Sequence, residues 1–250
     1  MDPLIETQPT AASDYPPESG VLRHLAVILD GNRRWARSHG RSTSKGYQHG
    51  GDRVLDLLTW CRDIADLEVV TLWPLSTENL RRPDTELDDL LRVIVSTAQA
   101  IAATQRWRIR YLGVPERLPA RWTEALFRAA DDTEQVVGPT ANIAVAYGGH
   151  DEIARSVQRM LVAHRAAGSL DDLIQHVDPA DIARHLDTMG QPDPDLVIRT
   201  SGEQRLSGFM PWQTAYTEYY FCPVTWPDFQ HADFLRALSW YRQRVRTYGQ

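Results

Sequence analysis

The sequence predicts a single α/β domain with an open, mostly parallel sheet covered by helices. Two observations predict this class. Apolar runs of strand length alternate with longer segments of helical period, and 250 residues, 42% of them hydrophobic, suffice for one substantial core. We therefore expect one domain over residues 21–250. Residues 1–20, which hold four prolines and several acids, are expected to be a disordered tail.

The apolar runs predict five strands in chain order. They lie at residues 24–29, 68–75, 107–112, 142–146 and 195–199. Helical spacing of apolar residues predicts helices within 54–65 and 87–95, and further helices at 119–136, 151–166 and 232–246. Because ligands bind outside the carboxyl ends of the strands in an open parallel sheet, the residues after each strand are candidates for a functional site.

The charge balance and the longest apolar segment exclude several classes of protein. A net charge of -6 argues against nucleic acid as the main partner, since duplex binding depends on many cationic contacts with phosphate. The longest stretches without a charged residue, 135–150 and 93–105, are too short for a transmembrane helix. The start of the chain lacks the basic and apolar parts of a secretory signal, so we expect a cytoplasmic protein.

Single residue types exclude further classes. The only lysine, Lys45, follows Ser44 rather than the glycine of a phosphate-binding Walker motif. Cys61 and Cys222 lie far apart, which predicts reduced packing residues rather than a disulfide or a metal knuckle. The sequence also lacks the motifs of metalloproteases, serine esterases and dinucleotide-binding enzymes.

Residues 30–35 (Asp-Gly-Asn-Arg-Arg-Trp) follow the first predicted strand and lead into a helix. Free backbone N–H groups at a helix start bind phosphate, Arg34 can add a paired contact, and Asp30 can hold Mg²⁺ against the same phosphate. An aspartate that caps a helix beside solvated arginines would give the same residues.

Two further strand ends carry similar side chains. Residues 75–83 follow the second strand and residues 199–209 follow the fifth, and each segment combines arginines with hydroxyl or amide groups. Three such strand ends in an acidic protein favour an anionic ligand, a polyphosphate with a magnesium ion.

Five separated motifs resemble those of one family. They are Asp30-Gly31-Asn32-x-Arg34-Trp35, Ser76-x-Glu78-Asn79-x-x-Arg82-Pro83, Tyr147-Gly148-Gly149, Arg199-x-x-Gly202-Glu203-x-Arg205-x-Ser207, and Trp212-Gln213 with Tyr219 and Phe221. In this order they are similar to the cis-prenyltransferases, the undecaprenyl diphosphate synthase family. Residues 75–80 and 190–209 resemble its mycobacterial short-chain branch, which makes (2Z,6E)-farnesyl diphosphate. The resemblance implies the family's fold, with an apolar tunnel.

The resemblance implies an enzyme that uses Mg²⁺ to join isopentenyl diphosphate to an allylic diphosphate with a new cis double bond. It places the metal on Asp30, with help from Glu218 at a homodimer interface, and places Ser76 and Asn79 near the proton that leaves. Isopentenyl diphosphate binding is implied for Arg199, Arg205 and Ser207. Allylic diphosphate binding is implied for Gly31, Asn32, Arg33, Arg34, Trp35, Thr43, Tyr47 and Arg82.

Some positions depart from the undecaprenyl enzymes. Thr43 and Tyr47 stand where those enzymes carry an arginine and a histidine, although Tyr47 also occurs in the short-chain branch. His150 replaces an arginine after Gly149, and Arg246 lies one place early for the family's carboxyl-terminal Arg-x-Gly motif. These changes weaken the transfer of the corresponding diphosphate and interface contacts.

The product length is expected to follow the depth of the apolar tunnel, because one helical turn of about 5.4 Å is comparable to one isoprene unit. The residues expected to border the tunnel and limit growth are Leu58, Trp73, Pro74, Leu75 and Leu91. We therefore expect a product of C15 or near it from geranyl or dimethylallyl diphosphate, with at most transient membrane contact at release. The alternative is that Trp73 packs the back of the sheet.

Three other functions stay open. One is a medium- or long-chain polyprenyl diphosphate synthase, and another is an irregular-coupling or cyclising enzyme on the same fold. The third is a non-catalytic partner subunit, which would lack the metal aspartate and the phosphate-binding arginines. Because this chain has Asp30, Arg34 and Arg199, the sequence favours a catalytic protein.

Overall fold

The computed structural model describes residues 21–244, which contain one six-stranded sheet in which every neighbouring pair is parallel. The strands are β1 (His24–Ile28), β2 (Val69–Ser76), β3 (Arg108–Gly113), β4 (Thr140–Tyr147), β5 (Leu196–Arg199) and β6 (Glu218–Phe221). Their order in the sheet is β3-β4-β2-β1-β5-β6. This arrangement confirms the predicted α/β class. The predicted tail at 1–20 lies outside the described residues.

The sequence analysis omits one strand. All five predicted strands occur, whereas β6 is an additional edge strand that pairs with β5, with Leu196 opposite Glu218 and Arg199 opposite Phe221. Its four residues are all half-buried. The apolar run at 219–222 is only four residues long and was not selected as a strand in the sequence.

Helices connect the strands and cover both faces of the sheet. They are α1 (Asn32–Ser38), α2 (Thr43–Trp60), α3 (Asp84–Ala103), α4 (Ala120–Asp131), α5 (Gly149–Ala167), α6 (Leu170–His176), α7 (Pro179–Ala183) and α8 (His231–Arg242). Two predicted helices are too long: the helix predicted at 119–136 ends at Asp131, and the helix predicted at 232–246 ends at Arg242. Arg246 itself lies outside the described residues. Lys45 is exposed in the first turn of α2. Among the helices described, none has the length and apolarity needed to cross a membrane.

Alternate residues of the central strands point into two separate cores. Leu25 and Val27 belong to the larger core, which α2, α3, α4 and α8 cover, whereas Ala26 and Ile28 face a smaller core on the other side. Helix α5 lies over the smaller core. There the buried Glu152 accepts a hydrogen bond of 2.5 Å from the Tyr147 hydroxyl.

A row of buried polar side chains crosses the amino-terminal half of the sheet. His24 donates from Nδ1 to the carbonyl of Pro192 at 2.7 Å, and its Nε2 accepts from the Thr71 hydroxyl at 2.7 Å. Asn142 donates to the Thr71 oxygen at 3.0 Å and exchanges two hydrogen bonds with Gln191. Burial lowers the pKa of His24 to about 4, so the imidazole is neutral at pH 7. We call these four side chains the buried polar row.

Candidate active site

A polar cavity of about 470 Å³ lies where the carboxyl ends of β1, β2 and β5 meet. Five arginines and a single carboxylate, Asp30, line it. The predicted site residues that the fold brings together in its lining are Asp30, Gly31, Asn32, Arg33, Arg34, Tyr47, Ser76, Asn79, Arg82, Arg199 and Ser207. The three strand ends selected from the sequence thus form one site.

The turn between β1 and α1 depends on Gly31. Its φ of 106° lies in the left-handed region, and a Cβ there would lie 2.9 Å from the Cβ of Thr225 and 3.0 Å from that of Ser201. Glycine alone meets both conditions without strain. The chain can therefore pass from Asp30 directly into α1, and the backbone of this turn borders the cavity.

Arg199 fixes the wall of the cavity next to Asp30. Its side chain is 5% exposed and donates to Asp30 Oδ2 at 2.9 Å, to Ser207 Oγ at 2.9 Å and to the carbonyl of Arg205. The Nε of Arg199 is buried and has no hydrogen-bond partner within residues 21–244. Arg199 is therefore a fixed positive charge that keeps one donor unused, as an anion site requires.

Arg34 connects the start of α1 to the loop after β5. Its guanidinium donates to Ser201 Oγ at 2.5 Å and to the Ser201 carbonyl at 3.1 Å, and it lies 3.3 Å from Glu203. The side chain is 48% exposed, and its distance to Asp30 Oδ1 is 3.6 Å. Arg34 thus flanks Asp30 from a half-exposed position that a ligand can reach.

A second charged group surrounds Tyr47. The buried Tyr47 hydroxyl donates to Glu86 Oε1 at 2.7 Å and accepts from Arg82 Nη1 at 2.8 Å. The same Glu86 oxygen lies 3.4 Å from Arg33 Nε and 3.7 Å from Arg82 Nε. Burial, with the hydrogen bond to Glu86, raises the pKa of Tyr47 above its ordinary value. Tyr47 is therefore a neutral hydroxyl that orients two charged neighbours.

Ser76 and Asn79 lie at the end of β2. A 3-10 turn, Glu78–Arg81, follows the strand, and the backbone N–H of Asn79 donates to Ser76 Oγ at 3.3 Å. Both side chains line the polar cavity. The turn therefore holds a hydroxyl and an amide next to each other at the strand end.

Two residues of the site were not selected from the sequence. Glu86 holds Arg33, Arg82 and Tyr47, and Arg37 lines the cavity from α1. Their spacing is the signal that could have found them. Glu86 follows Arg82 by four residues across the start of α3, and Arg37 follows Arg33 by four on one face of α1.

A narrow apolar channel with a volume of about 50 Å³ borders the polar cavity. The residues that line both spaces are Leu29, Asn32, Tyr47, Pro74 and Leu90. Val93, Thr97 and Ile101 follow one another along α3 and line the channel at intervals of about one turn. A Cβ on Gly51 of α2 would lie 2.7 Å from Thr97 Oγ1 and 2.8 Å from Val93 Cγ1, so the two helices approach closely there.

The structure corrects the predicted border of the channel. Pro74 lines it, but Trp73 lies on the other face of β2, where it lines the polar cavity and stacks on Phe209 with ring centroids 4.9 Å apart. Successive residues of a strand point to opposite faces, so Leu72 faces the channel and Trp73 does not. The other residues predicted to border the channel are buried in the larger core behind its lining: Leu58, Leu75 and Leu91.

Three predicted diphosphate-binding residues lie outside the cavity lining. Trp35 is buried and donates from its indole N–H to Asp228 at 2.7 Å, so it anchors α1 from behind. Thr43 begins α2 and does not reach the cavity. Arg205 has an exposed side chain, although its carbonyl accepts from Arg199. The arginine side chains nearest to Asp30 are therefore those of Arg34 and Arg199.

Asp30 is the residue of the cavity best suited to a metal ion. Mg²⁺ takes oxygen ligands, keeps several waters and is commonly held by one or two carboxylates together with substrate phosphates. No cluster of three His, Cys, Asp or Glu residues suited to a metal occurs in the described part of the chain. The donor set therefore fits an ion shared with a bound diphosphate.

Glu218 does not join Asp30 within one chain. It begins β6, level with Leu196 and Leu25, whereas Asp30 follows the opposite end of β1. Its carboxylate pairs with Arg244 Nε at 3.0 Å. The implied contribution of Glu218 to a metal site therefore needs a second copy of the chain.

Parallel strand ends that hold arginines beside an apolar channel define a class of protein that binds an anionic head group with an apolar tail. The family profile described as "Putative undecaprenyl diphosphate synthase" matches residues 28–249. The chain therefore belongs to the undecaprenyl diphosphate synthase family, the cis-prenyltransferases.

Similar proteins agree with this assignment. The isoprenyl transferase 1 of Streptomyces avermitilis is 51% identical over 230 residues, which cover 92% of this chain and 89% of the relative. The (2Z,6E)-farnesyl diphosphate synthase of Thermobifida fusca is 48% identical, with 91% and 89% covered. The crystal structure of lavandulyl diphosphate synthase from Lavandula x intermedia in complex with dimethylallyl diphosphate matches with a TM-score of 0.85 at 34% identity, over 93% of this chain and 100% of that one. The protein is accordingly an enzyme, a transferase of isoprenyl groups.

Proposed function

We propose that the protein condenses isopentenyl diphosphate with geranyl or dimethylallyl diphosphate to a short-chain Z-prenyl diphosphate such as (2Z,6E)-farnesyl diphosphate. The observation that carries the proposal is the border shared by the charged cavity and the apolar channel. A diphosphate bound in the cavity can extend its hydrocarbon into the channel past Asn32, Tyr47 and Pro74. The (2Z,6E)-farnesyl diphosphate synthase activity named for the Thermobifida relative supports the same product class.

The allylic substrate occupies the start of α1 in this proposal. The backbone of residues 31–33 and the side chain of Arg34 bind its diphosphate, and the Tyr47–Arg82 pair borders the entry to the channel. The allylic C–O bond breaks and its electron pair leaves with the diphosphate. Guanidinium groups held in place before the reaction stabilise that charge without reorganising.

Isopentenyl diphosphate occupies the side formed by Arg199 and Ser207, with the exposed Arg205 next to them outside the cavity lining. Its double bond supplies the electrons of the new carbon–carbon bond, and the adjacent carbon then loses a proton. Ser76 and Asn79 lie near this step, and the departing diphosphate accepts the proton. Within residues 21–244 no histidine lines the cavity, which leaves the diphosphate as the nearest base in this scheme.

Asp30 holds Mg²⁺ together with a diphosphate in this proposal. Bound Mg²⁺ would neutralise part of the charge that develops on the leaving group. Arg199 holds the Asp30 carboxylate at the edge of the cavity through its contact of 2.9 Å. The aspartate is thereby oriented before the substrate arrives.

The length of the channel supports a C15 product. Leu90 lines both the cavity and the channel, and Ile101 lines the channel further along α3. The helix between them is about 16 Å long, which matches three isoprene units at about one unit per turn. A longer chain would have to pass Ile101 and Ile143.

The first test is turnover with each allylic primer. Purified protein is incubated with Mg²⁺, labelled isopentenyl diphosphate and dimethylallyl, geranyl or farnesyl diphosphate, and the dephosphorylated products are sized and their double bonds assigned. We expect a cis C15 alcohol from geranyl diphosphate. Products of C50 or longer would instead identify a long-chain synthase.

A channel variant tests the limit on growth. Ile101→Ala removes bulk at the end of the channel remote from Leu90, and we expect the product to lengthen by one isoprene unit. Val95→Ala is the matched control, because Val95 is buried on the same helix but lies outside the channel lining. If both variants keep the wild-type product, the channel does not set its length.

A second candidate is irregular coupling of two allylic diphosphates. The likeness to lavandulyl diphosphate synthase, bound to dimethylallyl diphosphate, favours this alternative. The same assay separates the two reactions. Consumption of an allylic diphosphate without incorporation of labelled isopentenyl diphosphate would select the second.

We further propose a homodimer in which Glu218 helps to hold the metal of the second copy. Asp30 and Glu218 lie too far apart along the strands to act within one chain. Mixing Asp30→Ala with Glu218→Ala protein tests this proposal, since a mixed dimer regains one intact site. No recovery of activity after subunit exchange, or a monomer in sedimentation, would reject it.

A further inference from the structure

Arg37 is the arginine of the polar cavity that the proposed reaction leaves unused. It lies in the last turn of α1, lines the cavity and has an exposed side chain. Its guanidinium has no hydrogen bond, ion pair or ring contact with any residue from 21 to 244. A positive charge without a partner therefore faces a ligand cavity.

The arginines near Asp30 are compensated by carboxylates of the chain. Arg199 and Arg34 share Asp30 at 2.9 and 3.6 Å. Arg34 also lies 3.3 Å from Glu203. On this side of the cavity, each of the two guanidinium groups therefore has a protein carboxylate as a partner.

The other two arginines share one carboxylate. Arg33 and Arg82 lie 3.4 and 3.7 Å from the same oxygen of Glu86. The five arginines of the lining thus have three carboxylate partners, and Arg37 is the one that has none within the described residues. The uncompensated charge is therefore on the α1 side of the cavity.

The helix determines where that charge stands. Arg37 follows Arg33 by four residues, so the two lie on one face of α1. Arg37 is also three residues beyond Arg34, about 4.5 Å further along the helix axis from Asp30. It therefore reaches an anion at the end remote from Asp30.

We propose that Arg37 binds the allylic diphosphate at the phosphate remote from the reacting carbon. This inference rests on the proposed function and adds a substrate contact to it. The guanidinium stays charged at every pH of interest and forms paired contacts with phosphate oxygens. Its attraction grows as the leaving diphosphate gains charge, so Arg37 contributes to ionisation as well as to binding.

A purely structural role for Arg37 predicts a different pattern. A cation in the last turn of a helix interacts favourably with the helix dipole. Replacing Arg37 would then lower the melting temperature and leave the affinity for anions unchanged. The two roles are separable because one is read from ligand binding and the other from unfolding.

The experiment compares Arg37→Ala and Arg37→Lys with Arg41→Ala. Arg41 is an exposed arginine four residues further on that does not line the cavity, so it controls for loss of charge at this surface. Inorganic pyrophosphate is titrated calorimetrically into each protein with Mg²⁺ present. We expect Arg37→Ala to weaken binding about 5- to 10-fold, Arg37→Lys to weaken it less, and Arg41→Ala to stay within about 2-fold.

Steady-state kinetics then assign the contact to one substrate. We expect Arg37→Ala to raise the KM for the allylic diphosphate by a similar factor and to leave the KM for isopentenyl diphosphate within about 2-fold. Wild-type pyrophosphate affinity in Arg37→Ala, or equal losses in Arg37→Ala and Arg41→Ala, would overturn the proposal. Because the titration needs no turnover, a protein that binds pyrophosphate through Arg37 but consumes no isopentenyl diphosphate would reject the proposed function alone.

Discussion

The two ends of the sheet both carry polar side chains. The two sets differ in charge and in whether their hydrogen-bonding groups have partners. At the carboxyl end, Arg199 keeps a buried N–H without a partner within the described residues, and Ser201 and Ser207 have φ values of 73° and 54°. At the amino end, the buried polar row is neutral, and each of its four side chains is hydrogen-bonded. Strained backbone and unused donors thus lie where a ligand would bind.

This difference indicates which end of the sheet serves activity and which end serves stability. Groups that border a cavity can be removed without opening a void in a core, whereas a satisfied network loses several hydrogen bonds at once. Substitutions at the carboxyl end are therefore expected to change turnover, and substitutions at the amino end to change stability. Each prediction below tests this division between activity at the carboxyl end and stability at the amino end.

The largest effect is expected from Asp30→Ala. Loss of the single carboxylate in the cavity lining should lower kcat/KM by about 10²- to 10³-fold and remove most of the dependence on Mg²⁺. The free energy of unfolding should change by less than about 1 kcal/mol, because the Asp30 side chain is 29% exposed and Arg199 keeps its hydrogen bonds to Ser207 and the Arg205 carbonyl. Asp66→Ala, in an exposed turn, is the control. A comparable loss of stability would show that the carboxyl end is structural too.

The next effect concerns the geometry of Arg199 rather than its charge. Arg199→Lys keeps the charge but cannot donate to Asp30, Ser207 and the Arg205 carbonyl together, so kcat/KM should fall by about 10- to 100-fold. Arg155→Lys is a matched control away from the cavity, where the guanidinium forks onto Asp187. It should lower the melting temperature and leave kcat/KM within about 2-fold. The reverse pattern in the two variants would contradict the division.

His24→Asn tests the amino end. The substitution breaks the contacts of His24 with Pro192 and Thr71, and we expect the free energy of unfolding to fall by about 2 kcal/mol. Denaturant unfolding measures this change. Turnover per folded molecule should stay within about 2-fold. A tenfold loss of turnover at a temperature where the variant is folded would show that the amino end of the sheet also contributes to activity.

The smallest effect is the pH dependence of the same site. Burial depresses the pKa of folded His24 to about 4, so its stabilising effect is complete above its unfolded value of 6.5 and is lost as the pH falls through 4. The stability difference between wild type and His24→Asn should therefore shrink by about 1 kcal/mol for each pH unit below 6.5, so that little of it is left near pH 4.5. A difference independent of pH would mean that folding does not shift the pKa of His24.

The carboxyl end could be predicted from the sequence because its signals are local. Asp30 and Arg34 lie within one short segment after an apolar run, and Arg199 ends another such run. Parallel strands place their carboxyl ends at one edge, so short-range patterns are enough to predict a common site. That Gly31 allows the close approach to Thr225 needs the three-dimensional packing.

The residues that line the channel could not be predicted as well. The lining depends on the rotation of each helix about its axis and on which residues of a strand point to each face of the sheet. Leu90 and Leu91 are both apolar and both buried, and the rotation of α3 alone decides that Leu90 lines the channel. The face of the sheet to which Trp73 points likewise depends on β2, where the pairing register shifts between Leu72 and Leu75. A sequence that is apolar on both faces of an element does not record which face borders a channel.

The first turn of α2 also contains a residue that can be labelled selectively. Besides the α-amino group, Lys45 carries the only primary amine of the chain, and its ammonium donates to Gln48 at 2.9 Å on an exposed surface. Tyr47, at the border of cavity and channel, is two residues away. An amine-reactive fluorophore on Lys45 would therefore report the arrival and departure of a diphosphate optically, without an engineered cysteine.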